Sequence, residues 1–174
     1  MDRAAKQRRV KRAIAASAGL IVVWFWAAWA LFPAPDIGAD AGARLGFALK
    51  CDLAVVACLV VAVGLIARHR FFHNRIDGGW DETDRLLEIY RYNLANTTEQ
   101  VLIAVPVHLA FAVTAPAGLM GMVPAAATLF CLARAAFLAG YLSGRPTNRG
   151  VGFASTFFPS VLMLLAAAWF ALAG

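Results

Sequence analysis

Long apolar runs separated by short polar links set the outline of this chain. Five runs reach the roughly 20 residues that a helix needs to cross a bilayer. They are Ala13–Phe32, Leu45–Ala67, Leu86–Thr114, Leu119–Ser143 and Gly150–Ala173. Lipid offers the backbone no hydrogen-bond partners, so each run predicts a helix that satisfies its own peptide groups. Pro106, Pro124 and Pro159 fall in or near these runs and predict bends. After the first run comes "LFPAPDIGADAG", where Pro33 and Pro35 stop the helix. One run departs from plain apolarity. Its first half places Arg85, Glu88, Tyr92, Asn96 and Glu99 in a narrow stripe, at about 100° per residue. Ionisable groups at membrane depth are costly and face a bundle interior or a wet cavity. The stripe is therefore a candidate site or, on the plainer reading, a set of bridges between helices.

Composition places the whole chain in lipid. Of 174 residues, 61% are apolar and 15% charged, and the mean hydropathy is +0.69. Soluble domains carry about 45–50% apolar and about 25% charged residues. The net charge of +6 is concentrated in "MDRAAKQRRVKRA". That tail runs straight into a span, so it reads as a cytoplasmic anchor on anionic lipid and not as a nucleic-acid arm. The first run is too long for a signal-peptide core, contains Trp24, Trp26 and Trp29, and lacks a clear cleavage site. Residues 1–12 thus form a basic cytoplasmic tail and residues 13–32 an uncleaved anchor helix.

Lys and Arg then set an orientation. The tail holds Arg3, Lys6, Arg8, Arg9, Lys11 and Arg12; the link after the second run holds Arg68, Arg70 and Arg75; the link after the fourth holds Arg145 and Arg149. Only Arg44 and Lys50 lie towards the other side. This predicts a cytoplasmic amino terminus and an external carboxyl terminus, in a membrane of bacterial inner-membrane type.

The fourth run carries a second stripe of Arg134, Phe137, Tyr141 and Arg145. Arg134 lies deep enough to need a partner, and Glu99 is the expected one, as a site element or a plain interhelical clamp. Gly140 and Gly144 form a small-xxx-small pair that permits close helix approach. "DGGWDETD" before the third run predicts a helix start capped by Asp81 or Thr83. His69 and His73 are spaced as metal ligands on a helix, but no third ligand is evident, and no metal is expected. His108 reads as a packed neutral residue, and Lys50 and Asp52 as structural partners of each other or of a neighbour. Cys51 and Cys58 share a helix face about 10 Å apart along the axis, too far for a disulfide. They and Cys131 read as small packing residues.

"NLANTTEQ", followed one span later by "RAAFLAGYLSGRPTNRGVGF", resembles the MAPEG family, the membrane-associated proteins in eicosanoid and glutathione metabolism. The resemblance implies an all-α integral membrane fold. Residues 45–174 would form the family's four-helix bundle, with an extra amino-terminal transmembrane helix before it, and assembly would be as a homotrimer. It implies glutathione as cosubstrate, bound between subunits near the cytoplasmic face. By resemblance Asn96 and Glu99 would hold the tripeptide, with Arg134, Tyr141 and Arg145 or Arg149 from the next helix. Arg68 and Arg70 in "ARHRFF" would stand where one basic residue activates the thiol in some members. The chemistry suits these residue types: guanidinium forks bind carboxylates, Glu accepts from an ammonium, and a nearby cation favours thiolate. Three positions differ from the family pattern, where Tyr92, Phe137 and Gln100 stand here. The expected function is a membrane-bound glutathione-dependent transferase or peroxidase-like protein acting on lipophilic electrophiles arriving from the bilayer. The alternative is a non-catalytic lipid-binding or assembly protein of the same fold. A small transporter is a third, more distant reading, motivated only by the buried polar residues. Membrane lipid is the expected partner, and no nucleic acid is.

Overall fold

Five helices run the length of the molecule in the computed structural model, which describes residues 3–73, 83–144 and 146–173. They are α1 (Arg3–Leu31), α2 (Ala41–Phe72), α3 (Arg85–Thr114), α4 (Met122–Leu142) and α5 (Pro146–Ala173), with a 3₁₀ turn at Ala117–Leu119 before α4. All five are long and apolar enough to cross a membrane. Arg75, Asp81 and Arg145 lie outside the described residues, as do the side chains of Arg3, Lys6 and Arg9 in the basic tail.

The expected spans correspond to these helices, with shifted ends. α2 is the largest departure, since its 32 residues would extend about 48 Å, well beyond a hydrocarbon core of about 30 Å. "ARHRFF" therefore continues the helix instead of forming a polar link. Asp40 opens α2 by accepting from Ala43 N at 2.6 Å. Asp84 opens α3 by accepting from Leu87 N at 3.0 Å. Asp84 thus corrects the expected cap at Asp81 or Thr83, because only the residue directly before the first turn can reach its free amides. Pro106 and Pro159 sit inside α3 and α5. Pro124 falls in the first turn of α4, where a missing amide costs no helix bond.

Successive helices alternate in direction, so the links gather at two ends. The basic end holds the start of α1, the end of α2, the start of α3, the end of α4 and the start of α5. At the opposite end Arg44 is buried and ties two links together. Its Nε donates to Gly38 O and its Nη1 to Ala115 O, both at 2.8 Å. The main packing is α4 on α5 and α2 on α3, with α1 laid along α5 and touching α4. Trp24 Nε1 on α1 donates to Ala125 O on α4 at 2.9 Å. The core at the opposite end groups Ala48, Val107, Phe111, Met120, Val123 and Met163. A second cluster nearer mid-depth groups Val55, Val101, Ala104, Ala127 and Phe130. Val22, Trp26, Val60, Leu102, Leu132 and Trp169 point outward. That inversion suits a bundle whose solvent is lipid, where an exposed apolar side chain carries no penalty.

Gly152 decides how closely α5 approaches α4. A Cβ there would stand 2.6 Å from Ala133 O and 2.7 Å from Phe137. The absent side chain lets the two backbones meet directly, the usual route to tight helix contacts in membranes.

Candidate functional site

Arg134 organises the region where α3, α4 and α5 meet. It is 5% exposed. Its Nη1 donates to Asn96 Oδ1 on α3 at 2.7 Å, and its Nη2 donates to Gly152 O and Thr156 Oγ1 on α5 at 3.0 Å each. The guanidinium carbon lies 4.6 Å from the Phe137 ring centroid, a cation–π distance. Its Nε is buried and unpartnered. The close approach at Gly152 is what brings a helix carbonyl within reach.

The expected direct pair of Arg134 with Glu99 is corrected. Glu99 is exposed on the flank of α3 and instead accepts from Asn96 Nδ2 at 3.4 Å. Asn96 stands between the two charges, its carbonyl towards Arg134 and its amide towards Glu99. The two positions differ by about 60° around a helix, which turns Asn96 inward and leaves Glu99 outside.

Towards the basic end an aromatic shelf follows. Tyr141 stacks on Tyr92 with centroids 6.2 Å apart and meets Phe137 edge-on at 5.2 Å. The Arg149 guanidinium covers the Tyr141 ring at 4.5 Å. Gly144, at φ 65°, ends α4 in the left-handed region that glycine adopts freely. It is therefore a chain-reversal residue and not the second half of a helix-packing pair. Tyr92, Tyr141, Gly144 and Arg149, with Arg85, Glu88 and Ile89, line a cavity of about 320 Å³. The volume falls at the lower end of the roughly 300–1,000 Å³ of small-molecule sites. Two guanidinium groups, one carboxylate and two phenols give it the groups to recognise an anion that also carries an ammonium.

Most of the expected constellation is therefore together: Asn96, Glu99 and Arg134 form one linked chain, and Tyr141 and Arg149 line the adjacent cavity. Arg145 lies outside the described residues. Arg68 and Arg70 are elsewhere. Arg68 sits over the Phe72 ring at 5.6 Å and lines a separate cavity of about 130 Å³ with His69, His73, Leu86 and Tyr90. Arg70 is half-buried, with Nε unpartnered. Within one copy the chain splits the expected set between two cavities, one against α2 and one against α4 and α5.

Other polar groups were missed or read differently. His69 pairs with Asp84 at 2.7 Å and stacks on His73 at 4.1 Å, so it fastens the end of α2 to the start of α3. Among the described residues no three His, Cys, Asp or Glu are grouped to hold a metal. Asp52 pairs with His108 at 2.6 Å, each side chain 2% exposed, which makes His108 the partner of Asp52 and leaves Lys50 exposed. Asn93, Thr97 and Gln100 form a second polar stripe on α3, buried where the expected stripe is not. Their spacing of i, i+4, i+7 was a readable signal of a buried face. Thr156 followed Gly152 by four residues, a small-residue step that marks close approach.

Comparison with curated proteins and with solved structures gives no match. The model of the MAPEG family matches residues 48–169, from α2 through most of α5. The match covers more than half of the chain and contains both polar stripes, while α1 precedes it as an additional helix. With its five membrane-length helices and that match, this integral membrane protein belongs to the MAPEG family.

Proposed function

We propose that this protein is a membrane-bound glutathione-dependent transferase or peroxidase-like protein acting on lipophilic electrophiles. The observation that carries the reading is the cavity beneath Tyr141. Arg85 and Arg149 offer guanidinium forks for carboxylates, and Glu88 offers an acceptor for an ammonium. Asn96 and Glu99 lie further along α3, Asn96 turned towards Arg134 and Glu99 exposed on the flank of the helix. A tripeptide with two carboxylates and one ammonium matches this distribution of charge. Arg134 supports the site from behind, since its Nη groups are engaged by Asn96, Gly152 and Thr156.

The site is completed by a neighbouring copy. Glu99 is exposed along a span that lipid surrounds, and lipid offers a carboxylate no partner. Arg68 and Arg70 end α2 at the same basic end of the bundle as Arg149. In a homotrimer, Arg68 or Arg70 of one copy faces the Tyr141 cavity of the next and favours the thiolate form of the bound thiol. Holding thiolate and electrophile side by side then accelerates transfer.

Titration of glutathione into the purified protein, read by heat release, tests binding. Saturable binding supports the reading, and none up to several millimolar overturns it in favour of a non-catalytic lipid-binding role on the same groove. Conjugation of an apolar aryl halide and reduction of an organic hydroperoxide, each with and without glutathione, test catalysis.

A further inference from the structure

Cys58 belongs to α2 and Cys131 to α4, yet both sulfurs share one acceptor. Cys58 Sγ lies 3.4 Å from Ala54 O, the carbonyl one turn back on its own helix, the ordinary habit of a small hydrogen-bonding side chain. Cys131 Sγ also lies 3.4 Å from Ala54 O, so it reaches across to the other helix instead of to its own. The carbonyl of Ala54 thus draws the two sulfurs to one point between α2 and α4. Each is half-buried, so the pair opens on one side. Both cysteines lie near the middle of their helices, well inside the apolar spans, and Leu132 beside them is exposed. Cys51 packs against both apolar clusters, and no hydrogen bond to Ala54 O is seen for it.

We propose that Cys58 and Cys131 form a membrane-embedded dithiol that a lipid-soluble hydroperoxide oxidises to an interhelical disulfide. One sulfur attacks the terminal peroxide oxygen. The O–O bond breaks, the alcohol leaves with a proton, and that sulfur becomes a sulfenic acid. The second sulfur attacks the first, expels water and closes the S–S bond. Two thiols and one hydroperoxide thus give one disulfide, one alcohol and one water, and two electrons pass from sulfur to oxygen. A disulfide bond of about 2.05 Å lies within reach of side-chain rotation for two sulfurs that already share an acceptor. Depth selects the oxidant, because an apolar hydroperoxide partitions to this level and a charged reagent does not. The proposal needs neither Tyr141 nor Arg149 and stands apart from glutathione binding.

The test treats reduced protein in lipid vesicles with cumene hydroperoxide, then counts free thiols in denaturant and maps peptides by mass spectrometry. Free thiols should fall from three to one, with a peptide linking Cys58 to Cys131 within one copy. Dithiothreitol should restore all three. Cys51→Ser should keep the linked peptide; Cys58→Ser and Cys131→Ser should lose it. Three free thiols after treatment would overturn the proposal. So would links that include Cys51, links only between copies, or loss of thiol that dithiothreitol does not reverse. The wild-type measurement stands even if a variant fails to fold.

Discussion

Asn96 holds two opposite charges that do not touch. Its amide is polarised between Arg134 at 2.7 Å and Glu99 at 3.4 Å. Asn96→Ala leaves one buried Arg134 nitrogen unpaired and should cost about 1–3 kcal/mol, read as a lower thermal-unfolding midpoint. Glu99→Gln should cost less, because Glu99 is exposed and its contact is long. Combined with Arg134→Met, Asn96→Ala should cost less than the sum of the single changes; strict additivity would show that the pair is not coupled. Arg149 plays a different part, covering Tyr141 at the open end of the cavity. Arg149→Ala should weaken glutathione by about 1–3 kcal/mol in calorimetry and leave the unfolding midpoint nearly unchanged. Unchanged affinity in Arg149→Ala, Arg85→Ala and Asn96→Ala alike would place the tripeptide elsewhere. Chemical type told that these polar residues needed partners. Which partner each took depended on a few tens of degrees of helix rotation and on backbone carbonyls, which side-chain identity does not reveal.

At the scale of elements, the helices are held by small residues and caps more than by apolar bulk. Gly152→Val places a side chain against Ala133 O and Phe137. Overpacking of that kind costs about 1–3 kcal/mol, and here it also moves the carbonyl that Arg134 uses. The unfolding midpoint should fall by more than for Gly64→Val, since a Cβ at Gly64 meets nothing; equal shifts would contradict the close approach. Asp84 both caps α3 and holds His69. Asp84→Ala should cost at least the roughly 0.5–2 kcal/mol of a lost cap, and hydrogen exchange should rise first in the opening turn of α3. Helix number and order were readable because 20-residue apolar runs have few structural alternatives in lipid. Ends were less readable, since α2 carries charged and aromatic residues past the apolar run, and a helix continues wherever nothing stops it.

For the molecule as a whole, polar groups gather at one end and apolar groups face outward, as a membrane bundle requires. On the distribution of Arg and Lys, the amino terminus is expected inside. A carboxyl-terminal alkaline phosphatase fusion should therefore be active in a bacterial host, and the same reporter in "HNRIDGG" inactive; the reverse pattern would overturn the orientation. Exposed Glu99 and the separation of Arg68 from Tyr141 lead to a second expectation. Native mass spectrometry from mild detergent should show a trimer, and a lone monomer would remove the argument that a neighbouring copy completes the site. The chain by itself determined the solvent, the number of spans, the family and most of the polar residues that converge. Those follow from hydropathy, charge asymmetry and spacing, which are local quantities. Tertiary structure alone decided that Asn96 separates Arg134 from Glu99, that His108 meets Asp52, that Cys131 crosses to Ala54 on α2, and that Arg68 lines a cavity apart from that of Tyr141. Those pairings join residues far apart in sequence. They depend on which faces of the helices meet and how closely Gly152 lets them approach, quantities set only when all the helices pack at once.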